Sequence, residues 1–400
     1  MSQVREKVHS RGAGTTADPE LVARASNLVP LIREHAEESS KQRRIVPEVV
    51  DAIQVAGLFG LLVPERLGGL ESNMTTLLEC VAEIARGDGS TGWAYAIATA
   101  ASWSFTTFSD MAQQEVFTDT PVRGCGVLGP ATKAERVEGG YVVSGRWPYA
   151  SSSFAASWGQ FGLMLEDGDS VTLGQALVPS SAWRIEPTWI VAGMEGTGSD
   201  TVVVEDYFVP DHRIQSLRDM NDGNFATSHR ADEQNSRILW GAGASLPLAC
   251  AHLGLARHAL EVTLERLPNK TVPYSIHGQA KNSPVHQLAV AEAACRFDQA
   301  ELLLRRAATS TDQSAADGIT PTALERQRTW VDMAVAAQLV REGLDELMTA
   351  NGSSAFAQSN VLNRIWRDSA VGSRHIIMTP GGQKAAYGAL LLGADLPQPF

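Results

Sequence analysis

Cysteine is scarce in this chain of 400 residues: Cys80, Cys125, Cys250 and Cys295 are scattered, with no CxxC pair. Three of them sit in apolar helical or strand patterns. That points to buried free thiols in a reducing compartment rather than a disulfide framework, a metal centre or a nucleophile. The histidines show no HExxH or similar ligand spacing, and His252 and His258 fall off a common helical face, so no metal is expected. No stretch reaches the ~18 apolar residues that a membrane span needs. The first residues are polar and lack the apolar core of a secretory signal, so 1–17 are expected to form a frayed arm and the protein to be cytoplasmic. Positive charge is also in deficit. With 33 Lys and Arg against 45 Asp and Glu, the net charge of −12 disfavours nucleic acid and anionic membrane surfaces as partners. Internal repeats and low-complexity tracts are missing too.

What is present falls into three blocks. Residues 18–120 read as a helical domain. Asp18-Pro19-Glu20 gives an N-cap followed by proline, and Leu21, Leu28 and Ile32 recur at helical spacing. Pro47 opens a second helix and Asn73 precedes a third. The run WAYAIATAASWSFTTF is apolar around most of its circumference and should be buried. Residues 121–234 change to short alternating runs such as VEGGYVVSGRW and DTVVVEDYFVP, the pattern of an antiparallel barrel or sandwich. Residues 235–400 return to helix, over 237–266, 284–311, 321–350 and 359–378, lengths that suit a four-helix bundle. The fold class is therefore mainly α with a central β domain.

The glycine-rich stretch Gly193–Asp200 imitates a dinucleotide fingerprint. That fingerprint needs a helix after its loop to meet the phosphate, and here strands are predicted on both sides. It reads as a connection between strands.

Five ordered motifs then carry a resemblance. GMEGTGSDTVVVEDYFVP (193–210), VAGLFGLLVPERLGG (55–69) and NRIWRDSAVGSRH (363–375) resemble the acyl-CoA dehydrogenase family. GSTGW (89–93) and GRWPYASS (145–152) resemble its flavin monooxygenase branch, the group D, two-component enzymes. The resemblance spans about residues 20 to 390. It implies the acyl-CoA dehydrogenase fold, with flavin between the β domain and the C-terminal bundle and a neighbouring subunit closing the site, in a tetramer or a dimer.

In a strand, Trp147, Tyr149 and Ser151 would share one face, giving two aromatics beside a flavin and a hydroxyl near its N5. An aromatic strand face with an incidental serine is the plainer reading. The resemblance favours flavin and selects Ser151. It also suggests Lys270, Gln287 and Gly352 as contacts to the flavin phosphate or ribitol, although surface solvation explains a lone lysine and a helix C-cap explains Gly352 equally well.

The reaction class turns on the C-terminal motif. Acyl-CoA dehydrogenation needs a carboxylate to take the α-proton, and in the medium-chain-like branch it stands eight residues after the Arg-Asp aspartate. Here that position is Ile376, which cannot accept a proton. His375, beside it, can act as general acid or base, although a lone histidine at a helix end is ordinarily structural. The histidines and the Asp-His pair of many phenol-hydroxylating relatives are replaced by Ala101, Ser104 and Phe154-Ala155. The pocket is therefore expected to be apolar and aromatic, from Trp93, Ser102, Trp103 and Phe154, unless these are simply core.

The resemblance implies the oxygenase component of a two-component flavin monooxygenase. A separate NAD(P)H:flavin reductase would supply reduced FMN or FAD, and oxygen, carried on a C4a-hydroperoxide, would hydroxylate a phenolic or polyketide-like aromatic. N-oxygenation of an amino sugar, acyl-CoA dehydrogenation with a relocated base, and a catalytically silent flavin-binding protein are the rivals.

Overall fold

A computed structural model describes residues 15–118, 121–167 and 170–394, so most of the expected N-terminal arm lies outside the described residues. The chain opens with six helices: α1 (Pro19–Asn27), α2 (Val29–Gln42), α3 (Pro47–Val55), α4 (Met74–Gly87), α5 (Gly89–Phe105) and α6 (Asp110–Val116). Local chemistry sets their starts. The Asp18 carboxylate accepts from Glu20 N at 2.9 Å, Asn73 Oδ1 from Thr76 N at 2.7 Å and Asp88 Oδ2 from Thr91 N at 2.9 Å. As its composition foretells, α5 is buried at every position but Ile97.

Seven strands follow: β1 (Gly124–Val137), β2 (Gly140–Trp147), β3 (Trp158–Asp167), β4 (Ser170–Pro179), β5 (Trp183–Glu186), β6 (Thr201–Pro210) and β7 (Ile214–Ser216). They form one sheet in the order β5-β6-β2-β1-β3-β4-β7. The pairing departs from a wholly antiparallel expectation, since β1 and β3 run parallel, with Cys125 opposite Gly159. Ser102 Oγ accepts from Gly124 N at 3.2 Å and donates to Val122 O at 3.4 Å, fastening α5 to the start of β1.

After α7 (Leu217–Asp222) come the long helices α8 (Trp240–Arg266), α9 (Pro284–Asp317) and α10 (Ala323–Asn351), then α11 (Val361–Gly372) and α12 (Pro380–Leu391). The single helix expected over 359–378 ends at Gly372 instead. Pro380 confines Thr379 to an extended backbone, φ −78° and ψ 105°, so a new helix must begin there. Cys80, Cys125 and Cys250 are buried and Cys295 is exposed, all four as free thiols. Among the described residues no helix is long and apolar enough to cross a membrane, and no cluster of His, Cys, Asp and Glu is built to hold a metal ion.

Candidate active site

The strand β2 stops at Trp147, and the alternation expected through Tyr149 and Ser151 stops with it. Trp147 is fully buried in the core of the sheet, its ring 4.9 Å from Phe161 and its Nε1 donating to Gly162 O at 3.0 Å. It is removed from the site. Tyr149 turns the chain at φ +65°, a left-handed conformation uncommon outside glycine, and leaves its side chain on the surface, 70% exposed. Its ring meets Trp189 edge-on at 5.9 Å.

Backbone bonds to the glycine-rich loop hold this turn: Ala150 N donates to Asp200 O at 3.0 Å and Ser152 N to Thr197 O at 3.1 Å. Beneath the aromatic edge runs a buried line of hydroxyls. Ser151 Oγ lies 2.6 Å from Ser199 Oγ, which lies 2.6 Å from Thr197 Oγ1, which donates to Met194 O at 2.8 Å. The neighbouring Ser153 Oγ is buried with no partner. Such a surface offers a planar heterocycle one aromatic face, of Tyr149 or of the perpendicular Trp189, and hydroxyls for its polar edge. Phe154, half exposed under the Arg44 guanidinium at 5.2 Å, borders the same loop.

The Arg-Asp motif of α11 anchors the loop from behind. Asp368 Oδ1 accepts from Met194 N at 2.5 Å, Arg367 donates to Ala192 O, and its guanidinium pairs with Glu195 at 3.4 Å. The approach is so close that a Cβ on Gly193 would fall 2.3 Å from Arg367 O, so only glycine fits. Burial, with repulsion from Asp88, pushes the Asp368 carboxyl up to about 7, and its Oδ2 has no hydrogen-bond partner.

Beyond this anchor α11 delivers His375. Its ring lies 5.7 Å from that of Trp93 on α5, and the protein packed around it holds its pKa below the ordinary histidine value. On another side of Trp93, at 6.3 Å, stands His252 of α8, completely buried, with neither ring nitrogen hydrogen-bonded. Burial lowers its pKa to about 4, which makes it a neutral wall of the site. Ile376 projects outward, 78% exposed. A carboxylate is therefore missing where dehydrogenation would need one, and α8 carries none before Glu261.

Two expected pocket residues prove to be core. Ser102 ties α5 to β1, and Trp103 is fully buried, with Nε1 donating to Asn235 O at 3.1 Å. Lys270 and Gly352 come together elsewhere: Lys270 Nζ donates to Asn351 O and lies 3.1 Å from Ser354 Oγ. Gly352 adopts φ +69°, ψ −171°, a conformation essentially restricted to glycine. Gln287, on the first turns of α9, donates to Lys281 O at 2.8 Å. Sequence reasoning missed Trp189, Thr197, Ser199 and His252. Trp189 and the two hydroxyls sit in or beside the glycine-rich motif, but nothing in one strand's pattern reveals which loop another will pack against.

The families described as acyl-CoA dehydrogenase, N-terminal domain, and acyl-CoA dehydrogenase, C-terminal domain, match residues 25–124 and 246–380. The chain is 33% identical to the flavin-dependent monooxygenase, oxygenase subunit HsaA, of Rhodococcus jostii (strain RHA1), over 91% of this chain and 96% of that protein. It is 29% identical to the FADH(2)-dependent resorcinol hydroxylase, oxygenase component, of Rhizobium sp. (strain MTP-10005), over 96% of each. Among solved structures it is similar to XiaF from Streptomyces sp., in complex with FADH2 and glycerol, with a TM-score of 0.88 and 29% identity, covering 99% of this chain and 100% of that one.

Proposed function

Because the chain belongs to the acyl-CoA dehydrogenase family and to its flavin-dependent monooxygenase branch, we propose that it hydroxylates a phenolic or polyketide-like aromatic as the oxygenase component of a two-component system. The observation that carries this reading is the exposed Tyr149 ring, set edge-on to the partly buried Trp189, beside the buried Ser151, Ser199 and Thr197 hydroxyls. Reduced flavin, when bound there, supplies the activation of oxygen. FMN is our preferred form, delivered by a separate NAD(P)H:flavin reductase.

The chain's own residues have distinct parts. One face of the Tyr149–Trp189 pair stacks on the ring, and Ser151 presents a hydroxyl to its polar edge, a bond of ~0.5–1.5 kcal/mol that fixes orientation more than affinity. Trp93, His252 and Phe154 keep water from the reacting face. His375, neutral at physiological pH, takes the substrate proton. Lys270, Gln287 and Gly352 contact the phosphate end across a subunit boundary in a cytoplasmic homotetramer.

The test is isotopic. Chemically reduced FMN or FAD is mixed with the protein, labelled dioxygen and a panel of phenols that includes resorcinol. We expect a hydroxylated product carrying one labelled oxygen atom. Hydrogen peroxide as the sole product across the panel would overturn the proposal.

A further inference from the structure

An aromatic side chain serves as a stacking platform when one of its faces is open and its ring is kept from turning. Tyr149 meets the first condition. Its side chain is 70% exposed, and its hydroxyl makes no hydrogen bond among the described residues. The second condition is met from outside the residue. The Tyr149 ring abuts the Trp189 indole, with centroids 5.9 Å apart and planes at 82°, and Trp189 is itself packed against the helical core.

Trp189 lies in residues 187–194, a stretch with no helix or strand to support it. Polar bonds hold it instead. Trp189 N donates to Asp200 Oδ1 at 2.7 Å, its Nε1 donates to Met194 O at 2.8 Å, and its carbonyl accepts from Arg43 Nη1 at 2.9 Å. Thr188 N donates to the same Asp200 Oδ1 at 2.6 Å, and Thr188 Oγ1 lies 2.8 Å from Thr201 Oγ1. An indole tied by its backbone on both sides and by its ring nitrogen has few orientations left, so the ring resting on it is confined as well.

Asp200 serves both halves of this arrangement. Only 5% exposed, it gathers residues 188 and 189 with its carboxylate, while its carbonyl takes Ala150 N, one residue after Tyr149, at 3.0 Å. A single residue just ahead of β6 thus fixes the turn from which Tyr149 projects and the indole that Tyr149 leans on. Met194 O, which receives the indole N–H, also receives Thr197 Oγ1, the end of the hydroxyl line that starts at Ser151. The aromatic face and the hydroxyl edge are therefore built on one frame.

We propose that Asp200 is the positioning residue of the candidate site, and that through Trp189 it holds Tyr149 as the face on which the flavin ring stacks. The proposal rests on the oxygenase reading for the identity of the planar ligand, and it states which of the two aromatics carries the stacking.

Anaerobic calorimetry on the full-length protein, with photoreduced FMN as the probe, tests it. Tyr149→Leu should weaken FMN binding roughly three- to tenfold, the scale of one aromatic contact. Asp200→Ala and Trp189→Leu should each weaken it several-fold. Asp200→Asn keeps a side-chain oxygen for both N–H groups and should stay within about twofold of the parent. The double variant separates positioning from a general loosening of the fold. In a Tyr149→Leu background Asp200→Ala should cost no further affinity, because no platform is left to hold, whereas a loosened fold would weaken binding in both backgrounds. Trp189→Leu leaves every backbone bond in place, so it carries the same comparison if Asp200→Ala does not fold. Parental affinity in Tyr149→Leu or Trp189→Leu, additive losses in the double variant, an Asp200→Asn loss equal to that of Asp200→Ala, or a parent that binds no FMN would overturn the proposal. Neither oxygen nor a phenol is present, so this result and that of the isotope experiment can fail independently.

Discussion

The His375 imidazole sits against the Trp93 ring, and burial favours its neutral form. A base must be neutral before it can take a proton, so lowering its pKa keeps it competent into mildly acidic solution. Replacement by alanine should lower the rate of product formation by ~10²–10⁴-fold. Flavin affinity, measured by fluorescence titration, should change by less than about twofold, because the proposed flavin contacts are on other elements. In the unaltered protein kcat/KM should fall on the acid side as His375 becomes protonated, with the midpoint below 6.5, and that limb should vanish in His375→Ala. A variant with unimpaired turnover would remove His375 from catalysis. This residue was legible in the sequence because the family motif reaches it. His252 was not: a histidine in an apolar helix looks the same in sequence whether it is paired or bare. Only the packing shows both of its nitrogens without a hydrogen bond.

At the scale of elements, the working unit is a loop clasped by a helix. The sequence-based reading recovers α4, α5 and the long helices well, since each is a local consequence of caps and apolar periodicity. It fails between Trp147 and Ser151, where local pattern continues the strand but Tyr149 takes a positive φ because residues 150 and 152 are bonded to the 196–200 loop. A contact some fifty residues away overrides the local preference there. The clasp itself depends on Asp368, buried beside Asp88 and pushed up to about 7. A carboxyl whose folded pKa exceeds its unfolded value of 3.8 binds more protons in the native state between those pH values. The stability of the native protein should therefore decline as pH rises through this window and level off above the folded pKa. Asp368→Asn keeps an oxygen for Met194 N and cannot ionise, so its melting temperature should rise relative to the parent as pH increases from about 5 to about 8, corresponding to ~1–3 kcal/mol. Parallel melting curves for the two proteins across that range would rule out the ionisation cost.

At the scale of the molecule, the order helix–sheet–helix determines what the chain must borrow. A nicotinamide site of the common kind needs parallel strands joined through a helix, whose N-terminus receives the dinucleotide phosphates. This sheet has one parallel pair, β1 and β3, and the chain between them passes through β2 and the Tyr149–Phe154 turn with no helix. The glycine-rich loop at 193–200 leads into β6 rather than into a helix, so among the described residues its backbone offers no row of helical N–H groups to a pyrophosphate. Of its glycines, Gly193 packs against α11, Gly196 against Ser39 and Ser90, and Gly198 takes φ +58° beside Phe154. Among the described residues no nicotinamide site of this kind is formed, which supports the proposal that reduced flavin comes from a separate reductase. NADH or NADPH, added anaerobically to the protein with oxidised FMN or FAD, should therefore bleach the flavin no faster than in the protein's absence. Adding a flavin reductase, followed by oxygen and a phenol, should restore product formation in proportion to the reductase supplied. Stoichiometric bleaching by NADH with this chain alone would reveal a reductase site that its topology does not predict and would overturn the two-component assignment.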